Sequence, residues 1–116
     1  MRHDDLVYVA QMLDLCDRIL ARAVRLERED FDADEDLRLA LTHLVQTLGE
    51  AARRVSSGYR ASHPEVPWAE IVGMRHKIVH DYLDVDFDLV WDVCTVEIAA
   101  LRPKLGSLLP GGAPAD

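Results

Sequence analysis

Apolar residues recur every three or four positions along most of this 116-residue chain, and nowhere do they alternate with polar ones over strand length. That spacing puts them on one face of an α-helix, whose repeat is about 3.6 residues, and leaves no period-2 segment to form a sheet. The first stripe runs Leu6, Val9, Leu13, Cys16, Leu20 and Ala23, and Met12, Leu15 and Ile19 widen it enough to serve a core and a partner. The acidic break EREDFDADED follows, with Asp residues suited to the cap and positive end of a second helix. This helix carries Leu37, Leu41, Leu44, Val45, Leu48 and Ala51, its Gly49-Glu50-Ala51-Ala52 run permits close approach of a neighbour, and it stops near Val55-Ser56-Ser57-Gly58. Pro67 suits the first position of a third helix. Asp84 or Asp86 then caps a fourth, bearing Phe87, Val90, Trp91, Cys94, Ile98, Leu101, Leu105 and Leu108 and kinked at Pro103. The expected fold is all-α: an up-and-down bundle of four long helices with a short helix around residues 59–63.

A chain of this length fits one domain, burying roughly 65% of its unfolded surface. We expect that domain over residues 1–109 and a frayed tail, PGGAPAD, over residues 110–116. Hydrophobic residues make up 49% and charged residues 29%, the balance of an ordinary globular protein. The polar, acidic N-terminal stretch and the lack of any long apolar run point to the cytoplasm. Cys16 and Cys94 lie among apolar residues at helical spacing, as buried reduced thiols do.

The net charge of −8 argues against a general nucleic-acid coat protein, which needs many basic contacts to phosphate. Between Ala51 and His80, however, Arg53, Arg54, Arg60, Arg75 and Lys77 face only Glu65 and Glu70, so this window is +3 and the remainder −11. A local basic patch of this kind can meet a phosphate while the acidic remainder keeps bulk nucleic acid away.

Within the window, GMRHKIVHDYLDVD (Gly73 to Asp86) gathers Arg75, His76, His80 and Tyr82 on the expected third helix. Trp68, Ile71, Val72, Ile78, Val79 and Tyr82 form its apolar stripe, and Arg75 falls inside it. A guanidinium there needs a carboxylate such as Glu50, a carbonyl or a ligand phosphate. His80, five residues on, is about 140° around a straight helix, so the two side chains cannot converge from one ideal helix. Either the helix opens near His80, or a second subunit presents its own copy across a two-fold axis. His76 and His80, four apart, have the spacing of a two-histidine metal site, but the H-E-x-x-H glutamate is absent and no third ligand is evident. We expect neither a metal nor another cofactor.

Arg75, four further residues, then His80-Asp81-Tyr82 resembles the R-x4-H-x-Y signature of the HEPN superfamily, specifically HepT-like ribonuclease toxins of MntA–HepT type toxin–antitoxin systems. The runs GEAARR at Gly49, HPEVPW at His63 and VDFDLVW at Val85 extend the resemblance over all but the tail after Leu109. It implies an all-helical homodimer and a metal-independent endoribonuclease whose two motifs meet at the dimer interface. By position, Arg75 holds the scissile phosphate and stabilises its developing charge, and His80 is the general base or acid that helps the 2′-hydroxyl attack phosphorus. Many relatives carry Asn where this chain has His76, which becomes an auxiliary active-site residue. Tyr82 matches the tyrosine that a nucleotidyltransferase antitoxin AMPylates to silence the toxin. The competing expectation is a non-catalytic helical module that serves as that nucleotidyltransferase's partner.

Overall fold

The computed structural model describes residues 3–81 and 84–110. Helix α1 spans His3–Ala23, α2 Arg28–Ala33, α3 Glu35–Arg54, α4 Ser57–Ser62 and α5 Trp68–Ile78. Strands β1 (Val79–Asp81) and β2 (Asp84–Val85) pair antiparallel, and α6 (Phe87–Asp92), a π-helical turn (Val93–Glu97) and α7 (Ile98–Gly106) run on as the last long helix. The bundle is all-α apart from that two-stranded ribbon, so the expected fold class holds. α3 packs against both α1 and α5, and α1 packs against α7.

Helical spacing explains the core. In α1 the fully buried side chains are Val9, Met12, Cys16 and Ile19, facing Leu41, Val45, Leu48 and Ala52 of α3 and Cys94, Ile98 and Leu105 of the last helix. Deep burial pushes the thiols of Cys16 and Cys94 up to about 12, with the nearby Asp17 carboxylate adding to the effect at Cys16. Asp34 caps α3 by accepting from the Leu37 N–H at 3.0 Å, and Asp86 caps α6 by accepting from the Leu89 N–H at 3.0 Å. Ser56 caps α4, and Asp5 binds both the Ser56 N–H (2.8 Å) and its hydroxyl (2.9 Å), tying the start of α1 to the α3–α4 joint.

Three expectations need correction. The acidic break is interrupted by α2, because Phe31 is fully buried and stacks at 5.2 Å on Trp91. One core aromatic fixes a helical turn there that composition conceals. Secondly, the third helix ends at Ile78 rather than carrying the whole motif: the Ile78 carbonyl accepts from the Asp86 N–H at 2.8 Å, and Val79 pairs with Val85. Strands of three and two residues are too short to leave a periodic signal. Thirdly, Arg75 shares the angular face of Ile71 and Ile78 yet its side chain is 63% exposed, since its long stem carries the charge out to the α3 edge and into water. The last long helix continues through Pro103 to Gly106. The short helix expected around residues 59–63 is α4, and Pro67 lies one residue before α5 as its cap.

Candidate active site

Gly49 sets the geometry of the site. A Cβ at this position would lie 2.9 Å from the Ile71 carbonyl oxygen, so only a residue without a side chain lets α3 and α5 come this close. The contact brings Glu50 of α3 beside Arg75 of α5, with Arg75 Nη1 and Glu50 Oε1 3.8 Å apart. That distance gives electrostatic attraction without a hydrogen bond, so among the described residues the guanidinium keeps its donors for another acceptor. Glu50 instead accepts hydrogen bonds from Arg53. This bond, with Arg53, Arg54 and Arg75 nearby, holds the Glu50 carboxyl below its ordinary value, against a smaller opposing effect of desolvation. Three guanidiniums thus act on one carboxylate, and these four side chains together carry a net positive charge, which suits an anion.

Two recesses meet at Arg75. The larger, 260 Å³, is lined by His43, Gln46, Thr47 and Glu50 of α3 together with Arg75. The smaller, 130 Å³, is lined by Gly49, Glu50, Arg53, Val72, Gly73, Arg75 and His76. Beside the larger recess, Val7, Ala10, Gln11, Asp14 and Leu15 of α1 form an apolar groove of 560 Å³, and Thr47 borders both.

Of the residues singled out in the sequence, Arg75 and His76 come together on the last turns of α5. His80 is exposed on β1, outside the helix and outside the lining of both recesses. The helix therefore does open before His80, and the i, i+4 helical spacing of His76 and His80 is not formed. Among the described residues no group of three His, Cys, Asp or Glu is placed to hold a metal. Tyr82 lies outside the described residues. Sequence reasoning missed His43 and Gln46, although with Glu50 they occupy positions i, i+3 and i+7, one polar face of α3. No helix among the described residues is long and apolar enough to cross a membrane.

Comparison with known proteins identifies the family. Residues 12–108 match the family described as Ribonuclease HepT-like. "Putative RNase TTE0752" of Caldanaerobacter subterraneus subsp. tengcongensis is 31% identical, over 88% of this chain and 91% of its own. "Probable ribonuclease HepT" of Thermococcus cleftensis is 32% identical, over 69% of this chain and 73% of its own. No solved structure matches the chain. With the match running over residues 12–108, which include α3, α5, the last long helix and both Arg75 recesses, this chain belongs to the HepT-like ribonuclease family.

Proposed function

We propose that this HepT-like ribonuclease cuts RNA without a metal, by attack of a 2′-hydroxyl on the adjacent phosphorus. The observation that carries the reading is Arg75: a 63% exposed guanidinium, attracted by Glu50 but not hydrogen-bonded to it, at the junction of two recesses on a locally basic surface. A planar, permanently charged fork of this kind suits a phosphodiester and the charge that develops on it. His80 takes or returns the proton of the 2′-hydroxyl, and His76 beside Arg75 helps orient the phosphate. The products are a 2′,3′-cyclic phosphate and a free 5′-hydroxyl, and DNA, lacking the 2′-hydroxyl, is spared.

His80 is not in the Arg75 recesses of its own protomer, which supports a cleft completed by a second copy. The apolar groove on α1, with Val7 50% exposed, runs into the Arg75 recess and offers such a copy a place to dock. In this reading the protein is the cytoplasmic toxin of a type II-like pair, a homodimer, and a nucleotidyltransferase antitoxin silences it by AMPylating Tyr82. The added phosphate beside Arg75 and His80 would occupy the place of the RNA phosphate.

Incubating purified protein with tRNA or mRNA in EDTA, beside Arg75→Ala and His80→Ala, tests the assignment. Cleavage by the wild type alone, with cyclic phosphate ends, is the expected result; equal cleavage by all three proteins refutes it. For the regulatory part, ATP and the partner nucleotidyltransferase should modify wild type but not Tyr82→Phe.

A further inference from the structure

From the recess geometry we infer that His43 of α3 is a second proton-transfer group of the site: the general acid that protonates the departing 5′-oxygen of the RNA. This rests on the ribonuclease reading and adds a residue from outside the Arg75–Tyr82 motif. His43, Gln46, Thr47 and Glu50 fall on one face of α3, and that face walls the 260 Å³ recess whose other wall bears Arg75. The recess on the His76 side measures 130 Å³, half as much. A phosphodiester with its flanking sugar oxygens therefore has more room on the His43 side, where the imidazole is the titratable group facing Arg75 and Glu50.

The imidazole of His43 is also uncommitted. Its residue is exposed, the Thr47 hydroxyl turns back onto the His43 backbone carbonyl at 2.8 Å, and no hydrogen bond or ion pair engages the ring among the described residues. His63, by contrast, stacks on Tyr59 with centroids 4.4 Å apart and lies 3.5 Å from Glu65. Seven residues of helix separate His43 from Glu50, about 10 Å and two turns. Two hydrogen bonds of about 3 Å each, with a phosphate between them, cover most of that interval, and the reach of the side chains into the shared recess supplies the rest.

The step balances with both imidazoles. The 2′-oxygen bonds to phosphorus as its proton passes to neutral His80. The bond from phosphorus to the 5′-oxygen breaks, and that oxygen takes the proton of His43 imidazolium. Hydrolysis of the cyclic phosphate is not required, so the two histidines exchange their protons with water before the next turnover.

The test uses a leaving group that needs no proton. Once the cut bond in an RNA is mapped, an oligonucleotide is made with sulfur replacing the 5′-oxygen at that bond, and both substrates are given to wild type, His43→Ala, His43→Gln and His80→Ala. We expect His43→Ala and His43→Gln to slow cleavage of the oxygen substrate by about 10²- to 10⁴-fold. Both should cleave the sulfur substrate within a few-fold of wild type and lose the alkaline limb of the kcat/KM pH profile. His80→Ala should be slow on both. Equal slowing of the His43 variants on the two substrates, or no slowing on the first, overturns the assignment. In that event, defective Arg75→Ala and His80→Ala leave the ribonuclease reading standing; a wild type that cuts neither substrate removes both.

Discussion

Replacing Gly49 by alanine puts a methyl carbon 2.9 Å from the Ile71 carbonyl oxygen, where ordinary contact begins at 3.4 Å. That oxygen belongs to the α5 backbone and cannot rotate away, so the two helices must separate locally by several tenths of an ångström. Overpacking of this kind costs about 1–3 kcal/mol. Alanine also gains about 1 kcal/mol over glycine in a helix interior, which offsets part of the loss. We therefore expect Gly49→Ala to destabilise by about 1 kcal/mol, the difference of those two estimates. Gly73→Ala on α5 is the internal control, because a Cβ there meets nothing within 4 Å. It should stabilise by about 0.5–1 kcal/mol through propensity alone. Urea unfolding followed by far-UV circular dichroism gives both values, and near this size 1 kcal/mol corresponds to about 4 °C in Tm. Gly49→Ala should also reduce RNA cleavage, because the α3–α5 distance sets Arg75 against Glu50. If Gly49→Ala is stabilised as much as Gly73→Ala, the close approach does not constrain the site and the reasoning fails.

Four further outcomes are expected. Arg75→Lys keeps the charge but loses the planar fork, so kcat should fall by about 10²-fold with Tm unchanged; a rate near wild type would show that a point charge suffices. Asp5→Ala removes a buried carboxylate that accepts two hydrogen bonds from Ser56 and should cost about 2–3 kcal/mol in urea, whereas a loss under 0.5 kcal/mol would mean water replaces the carboxylate freely. With both thiols pushed up to about 12, the native protein should resist alkylation at pH 8 and react only after unfolding; fast native labelling of either cysteine contradicts the buried packing. Because Arg53 lowers the Glu50 value, ionised Glu50 favours the fold above the ordinary carboxylate value of 4.5 and that contribution disappears as pH falls through the lowered one. A carboxyl-carbon NMR titration giving 4.5 or more for Glu50 would exclude the pairing.

The long helices were legible because each carries an apolar stripe, and the caps because Asp34 and Asp86 stand just before such stripes. Gly49 was readable too, as a small residue amid large ones where a neighbouring helix must pass. Phe31 shows what periodicity cannot convey: a six-residue helix in an acidic run owes its position to Trp91, sixty residues away in sequence. Arg75 illustrates the reverse, since the wheel gave its direction correctly but not the reach of its stem past α3. His43 escaped notice because an exposed histidine on a helix has no local mark of function. It gains meaning only when the α3–α5 contact places it across a recess from Arg75.

The hydrogen bond between the Asp86 N–H and the Ile78 carbonyl closes a neck below the ribbon, and the Asp86 side chain then starts the next helix. α5 and α6 are thereby tied to each other at the base of the ribbon by a bond between backbone atoms. Side chains on β1 and β2 can therefore be changed while that bond holds the register of α5 against α6. Arg75, on α5, and His80, on β1, stand on opposite sides of that bond, so the bundle carries one and the ribbon carries the other.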